Sequence, residues 1–73
     1  MMNRAEFLTE LQDILQRDDP LVPEMALKDL PEWDSLSFMG VAGLFDKQFS
    51  KNLNFTDFES FITVEDLMTR AGI

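Results

Sequence analysis

The sequence predicts an all-α fold, a four-helix bundle with a long first loop and a short third helix. Three observations carry this. Apolar residues recur at helical spacing in four segments, and strict alternation of the kind a half-buried strand needs is missing. Helix-capping pairs open three of those segments. The chain has 73 residues and no Cys, so it folds without a disulfide near the lower size limit, where helix packing is the simplest route to stability. A single domain spanning residues 1–73 is expected.

The first helix opens at Asn3, with Glu6 in the capping-box position. Phe7, Leu8, Leu11, Ile14 and Leu15 follow at helical spacing. Arg17-Asp18-Asp19-Pro20 is expected to end it, because a residue before Pro is pushed out of the α region. A sixteen-residue connection then runs from Asp18 to Trp33, punctuated by Pro20, Pro23 and Pro31. Met25, Leu27 and Leu30 are its expected anchors, and a short helical turn within it is compatible with the sequence. Loops of this length are often functional.

The second helix begins near Asp34-Ser35. Phe38, Val41, Ala42, Phe45 and Phe49 form one apolar face. Leu36 and Met39 lie off that face, on a flank shared with Gly40, Gly43 and Lys47. The third helix is expected to start at Thr56, reading Thr56-Asp57-Phe58-Glu59 as a capping box, with Phe55, Phe58, Phe61 and Ile62 as its buried side. Thr63 with Asp66 caps the fourth, whose stripe is Val64, Leu67, Met68 and Ala71, and Gly72 is its stop.

Composition narrows the chemistry. The chain has no His, and so lacks the commonest general base and metal ligand. It carries 14 Asp and Glu against 6 Lys and Arg, a net charge of −8. That balance disfavours nucleic acid and anionic membrane surfaces and suits a cationic partner. No phosphate-binding Gly-rich loop and no EF-hand spacing occur. No apolar run has membrane-spanning length and no targeting signal is visible. A monomeric cytoplasmic protein without catalytic activity of its own, membrane insertion or metal is expected.

The segment that invites a functional reading is Trp33-Asp34-Ser35-Leu36-Ser37. Ser and Asp are preferred N-caps, so Asp34 or Ser35 can simply cap the second helix. The same position also suits a phosphate ester on Ser35, because unpaired N–H groups and the helix dipole favour an anion there.

Taken over nearly its whole length, the sequence resembles the acyl carrier protein family. The resemblance rests on Leu30-Pro31-Glu32-Trp33 leading into Asp34-Ser35-Leu36, on the long first loop, and on a short third helix before Thr63-Val64-Glu65-Asp66-Leu67. It implies that Ser35 carries a covalent 4′-phosphopantetheine, installed by a phosphopantetheinyl transferase. The arm would hold an acyl or aminoacyl thioester supplied by a loading ligase and used by a downstream transferase or synthase. Asp34 and Leu36 would belong to the cofactor-site signature, and Leu36, Met39, Gly43 and Lys47 to the surface that partners meet.

Two features depart from carriers of fatty acid synthesis. From Ser35 to Phe55 the only acid is Asp46, against Lys47 and Lys51, whereas nine acids and three bases lie between Met1 and Asp34. Gly40 and Gly43 stand inside the second helix, where each is unfavourable by about 1 kcal/mol relative to Ala. Either a neighbouring segment packs closely on them, or they keep the surface bare for a partner. The chain is therefore expected to serve a dedicated route, such as a secondary-metabolite, polysaccharide-modifying or aminoacyl-transfer system; Trp33 before Asp34 also resembles D-alanyl carrier proteins. Phe is used seven times, six of them from Phe38 onward, and is assigned to core packing. If these rings fill the space where other carriers sequester long acyl chains, the cargo is short or polar. The competing account is a non-catalytic acidic helical interaction module in which Ser35 is only a cap.

Overall fold

Helix α1, Arg4–Leu15, starts where the sequence places it. Asn3 accepts from the Glu6 N–H at 2.8 Å, and Glu6 accepts from the Asn3 N–H at 2.9 Å, so the capping box is closed in both directions. The end of α1 comes earlier than Pro20. Gln16 turns left-handed, with φ 56°, and its N–H bonds back to the Asp13 and Gln12 carbonyls. Gln12 then donates its side-chain amide to the Arg17 and Asp18 carbonyls, which ties the chain leaving the helix back to its last turns before Pro20 is reached. These observations come from a computed structural model, which describes residues 2–73.

Helix α2 is Ser35–Phe49, α3 is Phe55–Ser60 and α4 is Val64–Ala71. The described residues are all-helical apart from loops and one isolated antiparallel bridge, Ala26 with Thr63. The helical turn in the long loop is a 3₁₀ turn, Leu27–Asp29.

The core gathers Phe7, Leu11 and Leu15 from α1, Val41 and Phe45 from α2, and Val64, Leu67, Met68 and Ala71 from α4. Phe7 meets Phe45 edge to face at 6.1 Å, a favoured aromatic geometry. The predicted stripe of α4 is buried in full. The loop adds Leu27 and Leu30, as expected, and also Leu21; Met25 is half-buried. Backbone pairing holds the loop down. The Leu27 N–H donates to the Ile62 carbonyl at 2.8 Å, and the Val64 and Glu65 N–H groups donate to the Met25 and Pro23 carbonyls at 3.0 and 2.9 Å. Those last two donors are first-turn amides of α4, which have no partner within their own helix.

Helix α3 departs from expectation in two respects. Its N-cap is Asn54, paired with Asp57, rather than Thr56 paired with Glu59, so the helix starts at Phe55. Asn54 accepts from the Asp57 N–H at 3.1 Å and the Asp57 carboxylate accepts from the Asn54 N–H at 2.9 Å. Second, none of its residues is buried. Phe58 and Phe61 are half-buried, while Phe55 and Ile62 are 61% and 66% exposed. The helix is six residues long and seats its rings on Phe38 and Trp33 instead of the main core. Past its end the backbone is extended, so neighbouring side chains alternate: Phe61 and Thr63 face inward and Ile62 turns out. An ion pair completes the attachment. Arg70 donates to Asp57 at 2.6 Å, and its guanidinium carbon lies 5.9 Å from the Phe61 ring centre.

The two helix-interior glycines separate. A Cβ at Gly40 would stand 2.9 Å from Ile14 Cγ2, so α1 packs closely there. At Gly43 nothing lies within 4 Å of that position.

Candidate functional site

The segment leading to Ser35 is built in three steps. Leu30 is buried and donates its N–H to the Leu27 carbonyl, closing the 3₁₀ turn. Leu30-Pro31-Glu32-Trp33 then forms a tight turn, with the Trp33 N–H donating to the Leu30 carbonyl at 3.0 Å. Pro at its second position pre-sets the required φ. Arg17, past the end of α1, donates to Glu32 at 2.9 Å and ties this turn to the first helix. A backbone N–H within its own residue, and then Arg17, hold the Glu32 carboxyl below the usual carboxylate range.

Trp33 is half-buried. Its ring lies 6.2 Å from Phe38 and 5.5 Å from Phe58, which fixes the chain one residue before the cap of α2. Asp34 is extended, with φ −149°, and its carboxylate accepts from the Ser37 N–H at 2.9 Å. Ser37 Oγ accepts from the Asp34 N–H at 3.0 Å and donates to the Asp34 carbonyl at 3.1 Å. The capping box of α2 is therefore Asp34 with Ser37. Of the two candidate caps, Asp34 takes the role, and neither partner of the box is Ser35.

Ser35 is the first residue of α2 and is exposed. It belongs to the N-terminal turn, whose N–H groups no carbonyl of the same helix reaches. Leu36 follows at 76% exposure and Met39 at 64%. These two are one helical turn apart, and Gly43 and Lys47 continue the same flank at intervals of four. All four predicted partner-facing residues are exposed. Among the described residues Lys47 forms no ion pair, whereas Lys51 donates to the Arg70 carbonyl at 2.8 Å, at the C-terminal end of α4.

Two elements of this region escape the sequence reading. Ser37 is the reciprocal partner of the cap; the motif usually has Glu or Gln there. The second is a four-ring group, Trp33, Phe38, Phe55 and Phe58, which joins the start of α2 to α3. Only the tight spacing of aromatics hinted at it. Among the described residues no cluster of three or more carboxylates is arranged to hold a metal ion. None of their helices is long and apolar enough to cross a membrane.

No known protein family, curated protein or solved structure matches the chain.

Proposed function

We propose that the protein is an acyl or aminoacyl carrier that bears a 4′-phosphopantetheine on Ser35, in a dedicated route outside primary fatty acid synthesis. The observation that carries this reading is the division of labour at the start of α2. Asp34 and Ser37 cap the helix, which leaves the exposed Ser35 hydroxyl without that structural duty. The site fits the group. A primary alcohol stands on rigid backbone, and a phosphodiester placed there meets the N-terminal turn, where negative charge is favoured. Rooted at an exposed position, the modification needs no repacking of the core.

Attachment is a phosphoryl transfer. The Ser35 oxygen bonds to the β-phosphorus of coenzyme A and the pyrophosphate P–O bond breaks. Adenosine 3′,5′-bisphosphate leaves, and the hydroxyl proton passes to a base on the transferase. When bound, the arm supplies the thiol that this Cys-free chain lacks, and cargo rests on it as a thioester. The chain's own residues then have modest tasks. Asp34 fixes the helix start, Ser35 anchors, and Leu36, Met39, Gly43 and Lys47 present the surface that partner enzymes read.

Intact mass after incubation with coenzyme A, magnesium and a broad-specificity phosphopantetheinyl transferase tests the proposal. Wild type should gain one phosphopantetheine and Ser35→Ala none. No gain on folded wild type would overturn it and favour an acidic module that binds a basic surface.

A further inference from the structure

An apolar chain tethered beside a bundle is drawn into any apolar space it can reach, because every methylene removed from water contributes. The ring packing below Ser35 decides whether such space is open. Phe38 lies three residues after Ser35, hence on the adjoining side of α2, and is 3% exposed. Phe58 of α3 sits 5.0 Å from it, Trp33 lies 5.5 Å from Phe58, and Phe55 lies 6.1 Å from Phe38. Together the rings bridge α2 and α3 at the Ser35 end, with Phe38 buried beneath half-buried Trp33 and Phe58, and Phe55 exposed at the outer edge. Further along α2, Val41 and Phe45 are fully buried in one cluster with Phe7, Leu67 and Met68. Close-packed interiors resist added methylenes, which force side chains off their rotamers.

Resting on the reading that Ser35 is the carrier residue, we infer that its cargo is a short or polar acyl or aminoacyl group held outside the bundle. Such a group exposes little apolar surface and gains little from burial. A long alkyl chain would remain in water on this protein, where it would favour aggregation.

The test loads the protein with ready-made thioesters. The transferase is supplied with two-carbon and eight-carbon acyl-coenzyme A, intact mass records loading, and the thioesters are exposed to hydroxylamine. Ser35 takes up both arms by the same phosphoryl transfer, with the thioester bond untouched. On wild type the two thioesters should be cleaved at about the same rate. On Phe58→Ala, which removes a half-buried ring that neighbours the other three, the eight-carbon thioester should become selectively protected, about tenfold or more, as burial of several methylenes predicts. Protection of that size on wild type would overturn the cargo inference while leaving the carrier reading intact. Equal rates on a folded Phe58→Ala would show that the ring group is not the barrier and would overturn the inference as well. Failure to load either arm would instead overturn the carrier reading itself.

Discussion

Gly40 and Ile14 meet where α2 crosses α1: a Cβ at Gly40 would approach Ile14 Cγ2 to 2.9 Å. That carbon branches from the Ile14 Cβ, so relief requires rotating a side chain that is stiff at χ1 within its helix. Gly40→Ala sets a helix-propensity gain of about 1 kcal/mol against overpacking of about 1–3 kcal/mol. A net loss of about 1 kcal/mol is expected. Gly43→Ala meets no neighbour within 4 Å, and should stabilise by about 0.5–1 kcal/mol. Urea unfolding of both variants reads the contrast directly. Equal shifts would mean that Gly40 is not a packing contact.

Ser35→Ala and Asp34→Ala should separate cap from anchor. Asp34 supplies the cap, so its removal is expected to cost about 1 kcal/mol. Ser35 supplies none of the box, so Ser35→Ala should stay within about 0.5 kcal/mol of wild type. Thermal unfolding gives both values. A loss at Ser35 equal to that at Asp34 would mean that the hydroxyl is structural after all.

Leu36→Ala removes a side chain that is 76% exposed, and Met39→Ala one that is 64% exposed. Stability should hardly change, by about 0.5 kcal/mol at most. If the flank is where partners dock, the KM for modification by the transferase should rise, by about tenfold for each 1.4 kcal/mol of lost contact. An unchanged KM for both variants would move docking elsewhere on the surface.

The attachment of α3 should respond to acid. The Asn54 N–H, and then Arg70, hold the Asp57 carboxyl below its ordinary range. The Glu65 carboxyl is lowered in the same direction by Arg4 first and Thr69 second. The fold binds these protons less readily than the unfolded chain, so the stability they contribute is present above the ordinary carboxylate pKa of about 4 and is lost as pH falls through the depressed folded value. Asp57→Asn should therefore be less stable than wild type at neutral pH, and the gap should close under strong acid. Denaturation followed at several pH values checks this. A gap that persists below the folded pKa would point to lost hydrogen-bond geometry instead of lost charge.

The sequence was most legible where one local rule acted alone. Asn3 with Glu6 and Thr63 with Asp66 start their helices as read, and Val64, Leu67, Met68 and Ala71 are buried as the stripe requires. It was least legible where two rules competed. Asn54 with Asp57 and Thr56 with Glu59 are overlapping box patterns two residues apart, and the first is the one formed. Pro20 marked a helix end that Gln16 had already made. The ring face of α3 looked like core, yet Phe55 is exposed, because six residues span too little length to lay a full apolar stripe on the bundle. At the candidate site the position of Ser35 at a helix start was readable. Which residue caps was settled by Ser37, whose role depends on a side-chain rotamer that spacing does not encode.

The carbonyls of Pro23 and Met25 serve as caps for Glu65 and Val64, more than thirty residues further along the chain. Most caps form locally, but this one needs a long loop to close, and the entropy of closure comes before the contact is gained. Folding should therefore have a late step in which the loop and the first turn of α4 order together. The amides of Val64 and Glu65 should exchange with solvent in step with Leu27, whose N–H is held by Ile62 across the same junction. The proline-punctuated loop is thus expected to set the tempo at which the last helix is completed.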